Sequence, residues 1–154
     1  MNWLITIGEY LLIFVLAAVP WFEILIVIPI GIVRGLNPVL VGVSAFVGNF
    51  LTVFLLIVFY EKYRTWRTAK KDSSQEKPVS KRVVRAREIA AKYGLPGLAL
   101  LGPLATGAHL AAFIGLSCGS EKRATIYWMT LSLCLWTVAI TAATYLGFDL
   151  FGSA

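Results

Sequence analysis

A chain of 154 residues that is 58% hydrophobic and 14% charged, with a mean hydropathy of +0.79, excludes an ordinary water-soluble domain. Such domains carry about 25% charged residues. The net charge of +6 is localised: Tyr60–Tyr93 holds eleven Lys/Arg against four Asp/Glu, and the rest of the chain sums to −1. A basic excess confined in this way is an orientation signal and a contact with anionic lipid, and it excludes a nucleic-acid surface.

Met1–Val19 is apolar and carries Glu9 but no Lys or Arg. A secretory signal has a basic n-region and a small-residue cleavage site, so this stretch is expected to be a helical arm. Pro20–Gly35 is apolar enough for a bilayer but studded with helix breakers. Val39–Phe59 is a charge-free run of 21 residues, about 31 Å of helix, which matches a hydrocarbon core. Gly42, Ala45 and Gly48 give it a small face for close helix approach. The run ends in Tyr60-Glu61-Lys62-Tyr63-Arg64-Thr65-Trp66, an interfacial belt of aromatic and cationic residues. The positive-inside rule therefore places residues 60–93 in the cytoplasm.

Within that segment, Asp72–Pro78 reads as a flexible linker. Val79, Val83, Ala86, Ala90 and Tyr93 fall on one helical face, with Lys81, Arg85, Glu88 and Lys92 on another. Two readings are open: an amphipathic helix lying on the anionic inner leaflet, or a solvated helix packed against the bundle. Leu95–Gly119 is the second broken segment, with Pro96, Gly97, Gly102, Pro103 and Gly107. Ala124–Phe148 is the second clean span, and Lys122-Arg123 precede it. Were 95–119 to cross fully, that basic pair would lie outside, against the rule; a dip and return keeps it cytoplasmic.

Applied to residues 1–35, the same logic gives a hairpin that enters from outside, turns near Pro20 and Pro29, and returns. Arg34 is one dissenting charge. The expected fold is an all-α integral membrane protein of two inverted repeats. Each repeat is a re-entrant hairpin (1–35, 94–120) followed by a transmembrane helix (36–59, 121–148), joined by the basic loop 60–93. Both termini are expected outside. Between the halves, Pro20 and Pro103 align at an offset of 83 and little else does. A broken segment followed by a whole one, given twice, marks inverted-repeat transporters, because non-helical backbone at membrane depth survives only inside protein or along a cavity.

Glu23 leads the site candidates. A carboxylate at membrane depth costs roughly 2.5–3.5 kcal/mol on insertion scales, and is tolerated if it meets water, pairs with a base or carries a proton. Pro29 and Gly31 follow it and free backbone groups that can coordinate an ion or head group, or simply kink the helix. Asn49 adds a polar group on the first span. In the second half, Pro103, Thr106, Gly107 and His109 sit together. Imidazole titrates near neutrality and can shuttle protons, or serve as a hydrogen-bonded structural group. Thr106 at a hairpin tip meets an anion or caps a half-helix. Thr130, Cys134, Thr137, Thr141 and Thr144 share a helix face, either a substrate-facing wall or hydroxyls bonding their own helix. Cys118 and Cys134 have no metal-ligand spacing and are expected to be buried small hydrophobes. No metal or cofactor is called for.

Glu23–Pro29 with Gly31, Gly35-Leu36-Asn37-Pro38 and Gly48-Asn49 resemble the first half of the small multidrug export protein family, within the wider DedA-like superfamily. Pro103, Thr106-Gly107-Ala108 and Ala111–Leu116 resemble its second-half motif. The resemblance implies two re-entrant hairpins meeting at mid-membrane and ion-coupled movement of an amphiphile, a drug or a lipid such as undecaprenyl phosphate. It also implies an Arg two residues after the Glu, where this chain has Leu25, and Pro-Gly before Thr-Gly, where it has Leu104-Ala105. The basic residues of a DedA second hairpin are absent, with His109 the one stand-in.

The expected function is a small bacterial inner-membrane secondary transporter, proton-coupled and homodimeric, for an amphiphilic substrate, with 79–93 on anionic lipid. The alternatives are a lipid flippase or scramblase and a non-transporting assembly or homeostasis protein. An enzyme is disfavoured, since no nucleophile–base pair, HExxH or phosphate loop is present.

Overall fold

The computed structural model describes residues 3–69 and 81–152. All of its regular structure is helical, in six elements: α1 (Trp3–Ala18), α2 (Glu23–Val33), α3 (Pro38–Ala69), α4 (Lys81–Ala105), α5 (Ala108–Ser117) and α6 (Lys122–Gly152). The all-helical expectation holds, and among the described residues two helices carry apolar runs long enough to cross a bilayer, Pro38–Tyr60 and Lys122–Gly147. At the helical rise these runs measure about 35 and 39 Å, against a hydrocarbon core of about 30 Å. Most residues of both remain unburied, and large apolar side chains such as Val39, Val43, Leu131 and Val138 stand exposed. A soluble core helix would bury them. The linker 72–78 and Val79 lie outside the described residues.

The chain divides into two compact units. The first holds α1, α2, the start of α3 to Thr52 and α6 from Thr130 onward. Here α1 and α2 form a helical hairpin turning at residues 19–22, where Val19 accepts from the Phe22 and Glu23 N–H groups. Pro20 lies in this turn, but Pro29 does not break the chain. It sits inside α2, where its ring only withholds the N–H that would bond the Leu25 carbonyl. Gly31 packs on Val41 and Ile13, and Gly48 meets the Phe14 backbone so closely that a Cβ would collide with its carbonyl oxygen. The small face of α3 thus serves two neighbours, α1 at Gly48 and α6 at Gly42, where Thr141 is the nearest contact.

The junction between α2 and α3 is closed by specific bonds. Arg34 Nη2 meets Glu9 Oε1 at 3.2 Å, so the dissenting charge is paired on its own side of the hairpin. Both groups are solvent-accessible, and the pair contributes little to stability. The Asn37 N–H donates to the Tyr10 hydroxyl at 3.1 Å, and Asn37 Oδ1 accepts from the Val39 and Leu40 N–H groups at 3.0 and 3.3 Å. Asn37 is therefore the N-cap of α3 and Pro38 its first residue, the position where a missing N–H costs nothing. Asn37→Ala should lower stability by about 1 kcal/mol, read as a fall in the thermal midpoint of the detergent-solubilised protein; an unchanged midpoint would discount the cap.

The second unit, Val53–Met129, holds the end of α3, α4, α5 and the start of α6. Helix α4 is two helices joined at Gly94, whose φ of 67° and ψ of −163° no helix contains. Before the break, Lys81, Arg82, Arg85, Arg87 and Lys92 are exposed and Ala86 is fully buried; Tyr93, expected on the apolar face, is exposed. After it, Leu95–Ala105 packs along α5 as a second hairpin, turning at Gly107 with φ of 97°. Gly102 permits the close crossing, since a Cβ there would strike that of Ala111. Tyr60 of α3 donates to Ser117 Oγ at 3.2 Å and sets its ring edge-on to Phe113, fixing the end of α5.

One closing motif occurs in both units. Gly35 N–H bonds the Ile32 carbonyl and Leu36 N–H that of Gly31; 84 positions on, Gly119 bonds Leu116 and Ser120 bonds Gly115. Both are Schellman-type caps with glycine at positive φ, 81° and 91°. The same offset relates the starts of α3 and α6, Pro38 and Lys122. It relates the buried faces as well: Ile24, Val27, Ile28, Gly31 and Ile32 in α2 answer to Ala108, Ala111, Ala112, Gly115 and Leu116 in α5. The offset of 83 suggested by Pro20 and Pro103 is corrected by this. Pro20 is in an exposed turn and Pro103 is buried within α4.

Candidate functional site

The eight sequence-predicted residues fall into two groups, one in each unit. In the first unit Glu23 opens α2, Pro29 and Gly31 lie on the same helix, and Asn49 lies on α3. Glu23 is 6% exposed and has φ of +40°, the one positive φ on a described non-glycine residue. An L-residue in that region carries roughly 1–2 kcal/mol of strain, and residues held so cluster at functional positions. Its place at a helix start also sets the carboxyl by the positive end of the α2 dipole. Phe22, the N-cap, offers no side-chain bond to the helix. Gly31 has no room to spare against Val41 and acts as a packing residue.

In the second unit Pro103, Thr106, Gly107 and His109 gather at the α4–α5 turn. Pro103 is buried, and Thr106 and His109 are each 7% exposed. Thr106 does not cap α5: the N-cap is Gly107, without a side-chain bond. The Thr106 hydroxyl instead donates to the Gly102 carbonyl at 3.2 Å, which also accepts the Thr106 and Gly107 N–H groups. The hydroxyl is engaged by its own helix because Gly107 already takes the chain out of it. His109 is part of the buried wall of α5. At the 84-residue offset Gly107 answers to Glu23 and His109 to Leu25, so each hairpin carries one titratable side chain near its second arm's start.

The polar groups that the sequence marks on the two long helices are held in an unusual way. Asn49 is fully buried, and neither its Nδ2 nor its Oδ1 has a hydrogen-bond partner. The hydroxyls of Thr137 and Thr141 are buried and likewise unpartnered. The threonine face is not uniform, since Cys134 turns outward with Leu131 and Leu135. Both cysteines are exposed rather than buried: Cys118 is the C-cap residue of α5, and Cys134 lies on the outer apolar face of α6, which the chain does not cover. A cavity of about 530 Å³ opens between the start of α3 and α6, lined by Gly42, Val43, Thr137, Val138, Thr141 and Tyr145 among others. Among the described residues no three His, Cys, Asp or Glu side chains form a metal-binding group.

Among the described residues, six helices, two of them carrying long apolar runs with exposed apolar faces, are compatible with a helical membrane protein. The chain belongs to the small multi-drug export family: residues 23–148 match the family model described as "Putative small multi-drug export protein". No curated protein and no solved structure matches it.

Proposed function

We propose that the protein is a secondary transporter of the bacterial inner membrane that exports a small amphiphilic compound, drug-like or lipid, against a flow of protons. Arm length is the observation that supports this best. Helix α2, the Leu95–Ala105 arm and α5 have 11, 11 and 10 residues, about 15–17 Å each, half of a hydrocarbon core. Arms of that length suit hairpins that dip and return, and dipping hairpins beside whole spans suit a carrier. The recurrence of cap and buried face at 84 residues suits a duplicated unit, and opposite orientation of the two copies follows if loop 60–93 is cytoplasmic and both termini are outside. Glu23 and His109 are the groups through which protons would move, with Thr106 and Gly107 shaping the second turn. The exposed cations of residues 81–92 would rest on anionic lipid, and the working form is a homodimer.

The topology has a direct test. In a background with Cys118 and Cys134 replaced by Ala, Ser120→Cys should react with a membrane-impermeant maleimide only from the cytoplasmic side. Reaction from outside would mean that hairpin 2 crosses the membrane, and the carrier reading would lose its basis. In liposomes, a pH gradient should drive uptake of an amphiphilic dye. Flip-flop of labelled lipid without any gradient would instead identify a scramblase.

A further inference from the structure

The cavity beside α3 and α6 has features that packing alone does not account for. Threonines within helices ordinarily bond a carbonyl one turn back, and Thr52, Thr106 and Thr125 all do so here, to Gly48, Gly102 and Glu121. Thr137 and Thr141 do not. Their hydroxyls are buried and unpartnered although each has such a carbonyl within its own turn. Thr137 is 8% exposed, and Thr141 Oγ1 is 3.0 Å from where a Cβ on Gly42 would sit. An orphaned hydroxyl in a dry site costs about 1–3 kcal/mol, so two side by side ask for a partner.

The internal offset adds a comparison within the chain. Moved by 84 positions, Gly42 becomes Ile126, and Thr137 and Thr141 become Val53 and Ile57. Val53 and Ile57 are 1% exposed and wholly apolar. The scaffold role at these positions is thus filled by Val and Ile. The glycine that opens the space and the hydroxyls that line it belong to one half only.

We infer that this cavity is a binding site for a small, uncharged, mainly apolar molecule bearing a hydroxyl or amide, whose polar group is met by Thr137 and Thr141. Its volume of about 530 Å³ lies within the usual 300–1,000 Å³ of small-molecule sites. Rotation about χ1 exchanges the threonine hydroxyl and methyl and turns the oxygen toward a ligand. None of the ten lining residues is charged, so a cationic guest would be desolvated without a counter-ion. A neutral one fits the walls of Val43, Val138 and Tyr145. The site stands apart from Glu23 and from the export reading, and a binding measurement tests it without transport.

The probe is 4-(hydroxymethyl)benzophenone, photo-crosslinked to the protein in nanodiscs and mapped by peptide mass spectrometry. Saturable labelling is expected within residues 37–43 and 137–145. The double variant Thr137→Val, Thr141→Val keeps the shape of both side chains and removes the orphaned hydroxyls, so it should fold at least as well as the wild type. Its labelling should fall roughly fivefold, the worth of one net hydrogen bond. The trimethylammonium analogue of the probe should label the same peptides at least about fivefold less, for the desolvation reason above. Unsaturable labelling along all exposed faces of α3 and α6 would reduce the cavity to a lipid-facing groove. Undiminished labelling of the double variant, or equal labelling by the cation, would overturn the inference as well.

Discussion

Replacing Gly48 with alanine is expected to lower stability by about 3 kcal/mol, the upper end of overpacking costs. Two effects oppose each other at this position. Glycine within a helix is worse than alanine by about 1 kcal/mol, which favours the substitution. Against that, the new methyl would be driven into the Phe14 carbonyl oxygen of α1. Backbone cannot swing aside as a side-chain tip can, so α1 and α3 would have to separate, loosening the contacts of Gly31 with Ile13 and Val41 on the same hairpin. The clash wins. Gly8, inside α1 where an added methyl would meet nothing within 4 Å, is the control, and Gly8→Ala should raise stability by up to about 1 kcal/mol. The measurement is the denaturation midpoint in mixed micelles; equal midpoints for Gly48→Ala and the wild type would mean that α1 does not cross α3 there.

How much of this was legible beforehand depended on what each feature is made of. The long spans were plain, because a bilayer demands an uninterrupted apolar run and Val39–Phe59 and Ala124–Phe148 are such runs. The turn at Gly107 and the glycine ends of α2 and α5 were legible as breakers, since glycine is what a positive φ requires. Pro29 misled for the opposite reason: half-buried in an apolar helix, proline removes one bond and the helix continues around it. The 84-residue recurrence was hidden because it resides in backbone bonds and burial, and its identities, such as Ile30 with Ile114, Gly31 with Gly115 and Gly35 with Gly119, are common residues. Glu9 and Arg34 lie on different helices, so their pairing needed the hairpin to be folded first. The same holds for Thr137 and Thr141. Their spacing showed a shared face, but a hydroxyl that declines its own helix carbonyl is visible only in three dimensions.

Glu23 carries the largest functional expectation. Its backbone holds a conformation that favours glycine, and its side chain is buried at the first residue of a short helix. A residue chosen for folding alone would be glycine there, as Gly107 is at the answering position of the other hairpin. Keeping a carboxyl group at the cost of strain is the mark of a residue retained for what it does. Glu23→Gln preserves size and hydrogen-bonding capacity but cannot take up and release a proton. Glu23→Gly removes the side chain and suits the backbone. Both variants should assemble, with thermal midpoints within a few degrees of the wild type. Both should reduce pH-gradient-driven uptake in liposomes at least tenfold, a loss of about 1.4 kcal/mol or more in the transport barrier. The pair separates two roles that one substitution would confuse. If the carboxyl only holds the turn, Glu23→Gly transports normally and Glu23→Gln does nearly so. If it carries the proton, neither does, although the fold is kept. Uptake by Glu23→Gln equal to that of the wild type would remove Glu23 from the coupling step and leave His109, at the corresponding turn of the second hairpin, as the group to replace next.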